Sequence, residues 1–170
     1  MPPNDSAANA AIAATLASTV TSVGTAAARP PSPRMIAAVS APTAEGVLYD
    51  VDMRLRPSGS KGPVATSLHS FRTYHDSSSW TWEKLAMTRA RVICGAPQLV
   101  AELQDAISRI LCQHRDAAAT RADILDMRRL MLKEQGSGGT WDIKRVRGGL
   151  VELEFVAQTL QLIHAHRHPG

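Results

Sequence analysis

The amino-acid sequence predicts a mainly α-helical chain that carries one β-strand near its start and is preceded by a low-complexity tail. Three observations support this prediction. Apolar side chains recur at helical spacing in almost every segment after residue 64. Between residues 47 and 56, apolar and charged side chains alternate instead, as they do along a strand. Residues 1–33 are rich in Ala, Ser, Thr and Pro and contain a single acidic residue.

Residues 1–33 form the predicted tail. They show no cluster of bulky apolar side chains, so they cannot bury enough surface to offset the entropy lost on ordering, and we expect disorder or a frayed helix. An organellar transit peptide and a misassigned start are the two alternatives that this composition leaves open. Residues 35–39 are then typical of the end of a helix, which Pro42 breaks.

The strand over residues 47–56 separates two kinds of chemistry onto its two faces. The apolar face consists of Val47, Tyr49, Val51, Met53 and Leu55. The opposite face carries two carboxylates followed by two guanidiniums, from Asp50, Asp52, Arg54 and Arg56. Carboxylates bind hard cations such as Mg²⁺ and guanidiniums bind phosphate, so this face suits a metal–nucleotide. A half-buried strand whose charged face forms cross-strand ion pairs is the alternative.

The remainder of the chain is predicted as helices over residues 68–75, 80–94, 97–112, 121–134 and 150–166, with a short extended piece at 141–146. Glycines at 95, 136, 139, 148 and 149 separate several of these segments. The last helix is predicted to bury an apolar stripe of Leu153, Val156, Ala157, Leu160 and Ile163. Its polar line, formed by Glu154, Gln158 and Gln161, is expected to be solvated.

The composition excludes several classes of protein. Of 170 residues, 44% are hydrophobic and 20% charged, and the formal net charge is +4, which suits a phosphate-bearing ligand. The basic residues are scattered and only 4% of residues are aromatic, so we expect no nucleic-acid partner. No apolar run reaches membrane-spanning length, so we expect no membrane contact. Cys94 and Cys112 lack metal-binding spacing, and a reducing cytoplasm fits them best.

Three motifs, in this order, carry a resemblance to a known family. They are YDVDMRLRPSGSKGPVATSL, WTWEKLAMTRARVICG and WDIKRVRGGLVELEFVAQTLQL. Together they resemble the bacterial glutamine-synthetase adenylyltransferase/deadenylylase family, and the second motif resembles its C-terminal, adenylylating half. The resemblance runs from about Met35 to the C-terminus. It implies a DNA-polymerase-β-like nucleotidyltransferase domain followed by a helical bundle, so residues 34–63 would be a partial catalytic domain and residues 64–170 an incomplete helical domain.

The resemblance also implies an activity and its partners. Family members transfer AMP from ATP to a tyrosine of glutamine synthetase and remove it by phosphorolysis, under control of a PII-type nitrogen signalling protein. Asp52 matches the third metal-binding carboxylate of the family, so it would hold Mg²⁺, with Asp50 in support. Arg54 and Arg56 would face the triphosphate or pair with Asp50, and Lys61 would be a further phosphate contact.

A second group of residues matches motifs in the helical domain. The resemblance implies that they are structural or lie at the domain interface rather than in the chemistry. They are Glu83, Arg89, Arg91, Lys144, Gly148, Gly149, Glu154 and Gln158.

The chain also departs from the family pattern. The family signature of Gly-Ser followed by two aspartates, one residue apart, is not found before Gly46. One aspartate cannot assemble a two-metal site, so we expect the chain to be a fragment without adenylyltransferase activity on its own. Two other hypotheses stay open. The helical domain could be a non-catalytic module that docks on glutamine synthetase or a PII-type regulator, and His164, His166 and His168 could bind a metal, although alternate histidines suit a strand better than a helix end.

Overall fold

The computed structural model of the chain describes residues 22–24, 37, 40–47, 56–58, 61–63, 65–93, 95–136, 139 and 141–168. Four short strands come first: β1 (Ser22–Gly24), β2 (Pro42–Thr43), β3 (Gly46–Val47) and β4 (Ala65–Ser67). The principal helices follow: α1 (Leu68–Ser77), α2 (Thr81–Met87), α3 (Pro97–Cys112), α4 (Ala117–Gln135) and α5 (Leu150–His164), the last continued by a 3₁₀ turn at Ala165–Arg167. The predicted mainly helical class is therefore confirmed.

The strands form two separate pairs. β1 runs parallel to β4, with Ser22 opposite Ala65 and Gly24 opposite Ser67, and β2 and β3 form an antiparallel hairpin. β1 lies within the segment that the composition predicts to be disordered, so that prediction is wrong for Ser22–Gly24. A strand can form there because backbone pairing with β4 does not depend on bulky side chains. Val47 ends β3, whereas residues 48–55 of the predicted strand lie outside the described residues.

The helices share a core that consists of three connected clusters. Side chains of α1, α2 and α3 form the first: Leu68, Phe71, Met87, Ala106 and Ile110. Leu85, Ile124 and Leu162 join α2, α4 and α5 in the second, and Met131, Val151 and Phe155 join α4 and α5 in the third. Leu111 packs against the first and second clusters and Met127 against the second and third.

Two predicted elements differ from the structure. The helix predicted at 80–94 ends at Met87, because the Thr88, Arg89 and Ala90 amides donate three residues back and Thr88 Oγ1 donates to the Leu85 carbonyl at 2.7 Å. Such bonds tighten and end a helix. The piece predicted as extended at 141–146 is a series of turns, in which the amides of Arg145 and Val146 both donate to the Asp142 carbonyl.

Helix α5 buries the face opposite to the predicted one. Its buried residues are Val151, Phe155, Gln158, Leu162 and Ile163, whereas Leu153, Val156, Ala157 and Leu160 are exposed. The prediction was right for Ile163 and wrong for the other four residues of the stripe, because α5 is apolar on two sides and periodicity alone cannot select between them. The packing of Phe155 and Leu162 against α4 and α2 selects the buried side. Gln158, expected in a solvated line, is therefore buried.

Candidate functional site

The loop that follows the predicted nucleotide-binding strand is described only in part. Arg56 is half-buried, and its Nε donates to the Gly62 carbonyl at 3.0 Å. Lys61 is exposed beside it. A Cβ at Gly62 would lie 1.9 Å from the Pro57 carbonyl oxygen, so only glycine fits this close approach. The described part of the loop therefore ties the Arg56 guanidinium to the backbone of the residue that follows Lys61.

The structure does not describe the carboxylates of the predicted site. Asp50, Asp52 and Arg54 lie outside the described residues. Their predicted roles as metal and phosphate ligands stay predictions. Within the described residues, no group of three or more histidine, cysteine, aspartate or glutamate side chains is arranged to hold a metal ion.

Glu83 lies at a buried junction between α1 and α2. One carboxylate oxygen accepts the Trp80 amide at 2.8 Å, and the other accepts the Tyr74 hydroxyl at 2.7 Å. The first bond closes the N-terminus of α2, as the glutamate of a capping box does. Burial raises the pKa of Glu83, and burial together with the Glu83 hydrogen bond raises the pKa of Tyr74 to about 12. This carboxylate is occupied by structural hydrogen bonds.

The residues after α2 connect it to α5. The Arg89 guanidinium lies 3.1 Å from the Glu154 carboxylate, and both side chains are partly exposed. Arg91 is exposed in the irregular segment that follows α2. The structure thus brings Arg89 and Glu154 together, two residues that are 65 positions apart in sequence.

The turn before α5 provides acceptors for the first amides of that helix. The amides of Gly149 and Leu150 donate to the Val146 and Ile143 carbonyls at 2.7 and 3.0 Å, and the Val151 amide donates to the Lys144 carbonyl at 3.2 Å. A Cβ at Gly149 would lie 2.5 Å from the Ile143 oxygen, so these carbonyls can approach only a glycine. Lys144 thus contributes through its backbone.

Gly148 and Glu152 close the same turn from the other side. Gly148 has a φ of +80°, which favours glycine. Its amide donates to a Glu152 oxygen at 2.8 Å, and the second Glu152 oxygen accepts from Arg128 of α4, with a distance of 3.1 Å from Arg128 Nε. These bonds lower the pKa of Glu152. Gln158, about one turn and a half further along α5, is buried.

Sequence reasoning missed three of these features. Arg128 and Glu152 form an ion pair between α4 and α5. Tyr74 completes the Glu83 junction. His75 is 2% exposed, and neither of its ring nitrogens has a hydrogen-bond partner within the described part of the chain. No sequence pattern distinguishes these residues from the many other charged and polar residues on helices.

The C-terminal histidines show no metal-binding arrangement. His164 ends α5 and is exposed, and His166 lies in the 3₁₀ turn with its ring 5.1 Å from that of His114, centroid to centroid. His168 follows the turn and is exposed. Among the helices of the described ranges, none has the length and apolar character needed to cross a bilayer.

Comparison with known proteins finds similarity to adenylyltransferases that act on glutamine synthetase. Residues 31–106 match the family model for glutamate–ammonia ligase adenylyltransferase. A protein of Agrobacterium fabrum named bifunctional glutamine synthetase adenylyltransferase/adenylyl-removing enzyme is 55% identical over 130 residues, or 76% of this chain. Relatives of the same name from Rhizobium meliloti and Rhodopseudomonas palustris are 55% and 48% identical over 76% and 80% of it. The matched segment is only 13% of the Agrobacterium relative.

Proposed function

Because this chain belongs to the glutamate–ammonia ligase adenylyltransferase family, we propose that it is part of an enzyme that transfers AMP from ATP to a tyrosine of glutamine synthetase. The proposal rests on the 55% identity, over 130 residues, to an enzyme that is named for attaching and removing the adenylyl group. We also propose that this enzyme is controlled by a PII-type regulator and acts in the cytoplasm.

The chemistry that we propose centres on the strand and loop around residues 50–62. Asp52, supported by Asp50, would hold Mg²⁺, which would neutralise charge on the phosphates during transfer. Arg54, Arg56 and Lys61 would bind the triphosphate, Arg56 in bidentate fashion. The described loop supports this proposal because it ties the Arg56 guanidinium to the carbonyl of Gly62, next to Lys61.

The helical residues would act as a scaffold for this site. Glu83 is hydrogen-bonded to two donors of its own domain, and Arg89 and Glu154 pair with each other. The glycine turn before α5 is filled by backbone carbonyls. Groups engaged in this way support an architectural role, which agrees with the resemblance.

The experiment that tests the proposal measures incorporation of labelled AMP into glutamine synthetase, with ATP and Mg²⁺. It uses this chain alone and a chimera of the Agrobacterium relative in which the segment matching this chain is replaced by this chain's residues. We expect no incorporation by the chain alone, because its sequence contains no Gly-Ser-initiated pair of aspartates. We expect an active chimera that Asp52→Asn slows by about 100-fold or more.

The matched control is Asp76→Asn, since Asp76 is an exposed carboxylate at the end of α1. We expect this variant of the chimera to retain full activity. An Asp52→Asn chimera as active as the Asp76→Asn chimera would refute the proposed role of Asp52. A chain that binds glutamine synthetase stably but supports no transfer in any chimera would favour the docking module instead.

A further inference from the structure

The hydroxyl of Tyr74 connects the junction between α1 and α2 to the loop at residues 56–62. It donates to Glu83 at 2.7 Å. The backbone of Ser58 hydrogen-bonds to the same hydroxyl, and this bond acts to lower the pKa of Tyr74, as a donor to the oxygen does. Tyr74 is therefore a point at which a helical side chain reaches the loop.

The backbone at Ser58 is in a conformation that needs support. Its φ is +64°, in the left-handed region, and no other residue except glycine has a positive φ in the part of the chain that the structure describes. A side chain in this region is strained, and the conformation persists where surrounding contacts hold it. The Tyr74 hydroxyl supplies such a contact at the strained residue itself.

The contacts that close the loop span this strained residue. Arg56 Nε donates to the Gly62 carbonyl at 3.0 Å, and a Cβ at Gly62 would lie 1.9 Å from the Pro57 carbonyl oxygen. Ser58 lies in the chain between the two sides of this closure, so a change in its backbone would move Arg56 and Pro57 relative to Gly62. The position of the Arg56 guanidinium therefore depends on the conformation at Ser58.

Tyr74 is held in place by the helices. It lies on α1, its ring packs edge-on against that of His75 at 5.3 Å between centroids, and Glu83 of α2 accepts the hydrogen bond of its hydroxyl. Burial and the Glu83 bond raise the pKa of Tyr74 to about 12, so the hydroxyl stays protonated around neutral pH. The loop thus meets an acceptor whose position the helices determine.

We propose that Tyr74 is a positioning residue for phosphate binding: its hydroxyl holds the loop in the conformation in which Arg56 and Lys61 bind the triphosphate of ATP. This inference rests on the proposed function, which assigns those two side chains to the triphosphate. Tyr74 would act through the loop and not on the nucleotide, because its hydroxyl is engaged by Glu83 and Ser58.

The first experiment measures trypsin cleavage of the chain within this loop. Trypsin does not cleave before proline, so the bond before Pro57 is resistant and the bond after Lys61 is the one that it can cut. Cleavage after the exposed Arg91 is the internal reference. Proteolysis follows the population of the open loop, and Tyr74→Phe removes a hydrogen bond that keeps it closed. We expect the ratio of cleavage at 61 to cleavage at 91 to rise about 5- to 10-fold.

Ser79→Ala is the matched control. The Ser79 hydroxyl donates to the His75 carbonyl at 3.1 Å, so this variant removes a hydrogen bond of the same junction, one that lies within the helical part. We expect its cleavage ratio to equal that of the unmodified chain. An unchanged ratio in Tyr74→Phe would overturn the inference. An equal rise in Ser79→Ala would overturn it as well, because the loop would then respond to any loosening of the junction.

The second experiment measures AMP transfer by the chimera described above. We expect Tyr74→Phe to raise the KM for ATP about 5-fold and to lower kcat by less than about 2-fold, since contacts made equally in the ground state and the transition state change KM alone. The KM for glutamine synthetase should stay unchanged. The Ser79→Ala chimera should keep all three constants, which separates positioning from a general loss of folded enzyme.

The two experiments distinguish this inference from the proposed function. A raised cleavage ratio with an unchanged KM for ATP would overturn the positioning role, because the loop would then be held for a reason other than phosphate binding. Absence of AMP transfer by the unsubstituted chimera would count against the proposed function and against the phosphate-binding role that rests on it. The cleavage ratio would still decide whether Tyr74 holds the loop.

Discussion

Replacement of Glu83 tests whether the α1–α2 junction is architectural. Glu83→Ala removes the acceptor of the Trp80 amide and of the Tyr74 hydroxyl. Each lost hydrogen bond to a charged group costs about 1.5–3 kcal/mol, and relief of the buried carboxylate returns part of that. We expect the free energy of unfolding to fall by about 2–3 kcal/mol and the Tm by about 4–12 °C.

Two further variants sharpen this prediction. Glu83→Gln keeps an oxygen for the Trp80 amide and places an amide group that can donate to the Tyr74 hydroxyl oxygen. Because burial raises the pKa of Glu83, a neutral side chain suits the site, and we expect a loss below about 1 kcal/mol. Tyr74→Phe removes one bond, and we expect a loss of about 1 kcal/mol.

The assay is urea unfolding of the chain, followed by tryptophan fluorescence, because Trp80 and Trp82 flank the junction. Glu134→Ala, at an exposed position of α4, is the matched control and should change the unfolding free energy by less than about 0.5 kcal/mol. An unfolding free energy of Glu83→Ala equal to that of the control would refute the reasoning. So would an equal loss for Glu83→Gln and Glu83→Ala.

Three other perturbations have defined outcomes. Burial lowers the pKa of His75 to about 4, below its unfolded value of 6.5. The free energy of unfolding should therefore fall by about 2–3 kcal/mol as the pH drops from 7 to 4. Urea unfolding across this range should show a smaller fall in the unfolding free energy for His75→Gln than for the unmodified chain. Gly149→Ala places a Cβ against two carbonyl oxygens and should lower the free energy of unfolding by about 2–4 kcal/mol. The control Gly139→Ala, whose Cβ would meet no atom within 4 Å, should change it little. Equal Tm values for the two variants would contradict this prediction. A double-mutant cycle with Arg89→Gln and Glu154→Gln should give a coupling energy of about 0.2–1 kcal/mol, because both side chains are partly exposed. The coupling energy should weaken in 1 M NaCl. A coupling energy that does not depend on salt would argue against this ion pair.

The existence of these helices was predictable from local chemistry, and so were the bounds of α3. Pro97 at the first position of α3 and the 3.6-residue spacing that follows defined that helix to the residue. The start of α4 was predicted four residues late, because Asp116 caps it by accepting the Ala119 amide at 2.6 Å and the alanines that follow show no apolar period. The apolar period thus located a helix start only where it began in the first turn, and the side-chain cap of α4 was overlooked.

The choice of buried face on α5 was not predictable from its sequence. Leu153 and Phe155 are equally apolar neighbours, and only the position of α4 decides that Phe155 is buried. Likewise, the pair formed by Arg89 and Glu154 depends on the fold, since two residues so far apart in sequence have no local reason to meet. Residue roles that follow from packing between helices require the structure.

The glycine turn between Val146 and Val151 also limits how this chain can change in evolution. Since that turn is bonded to the first amides of α5, one inserted or deleted residue there would rotate the helix by about 100°. Phe155 and Leu162 would swing away from their neighbours, and the outer row of leucines would swing with them. The number of residues in this turn is therefore constrained more tightly than side-chain identity is along the rest of the helix.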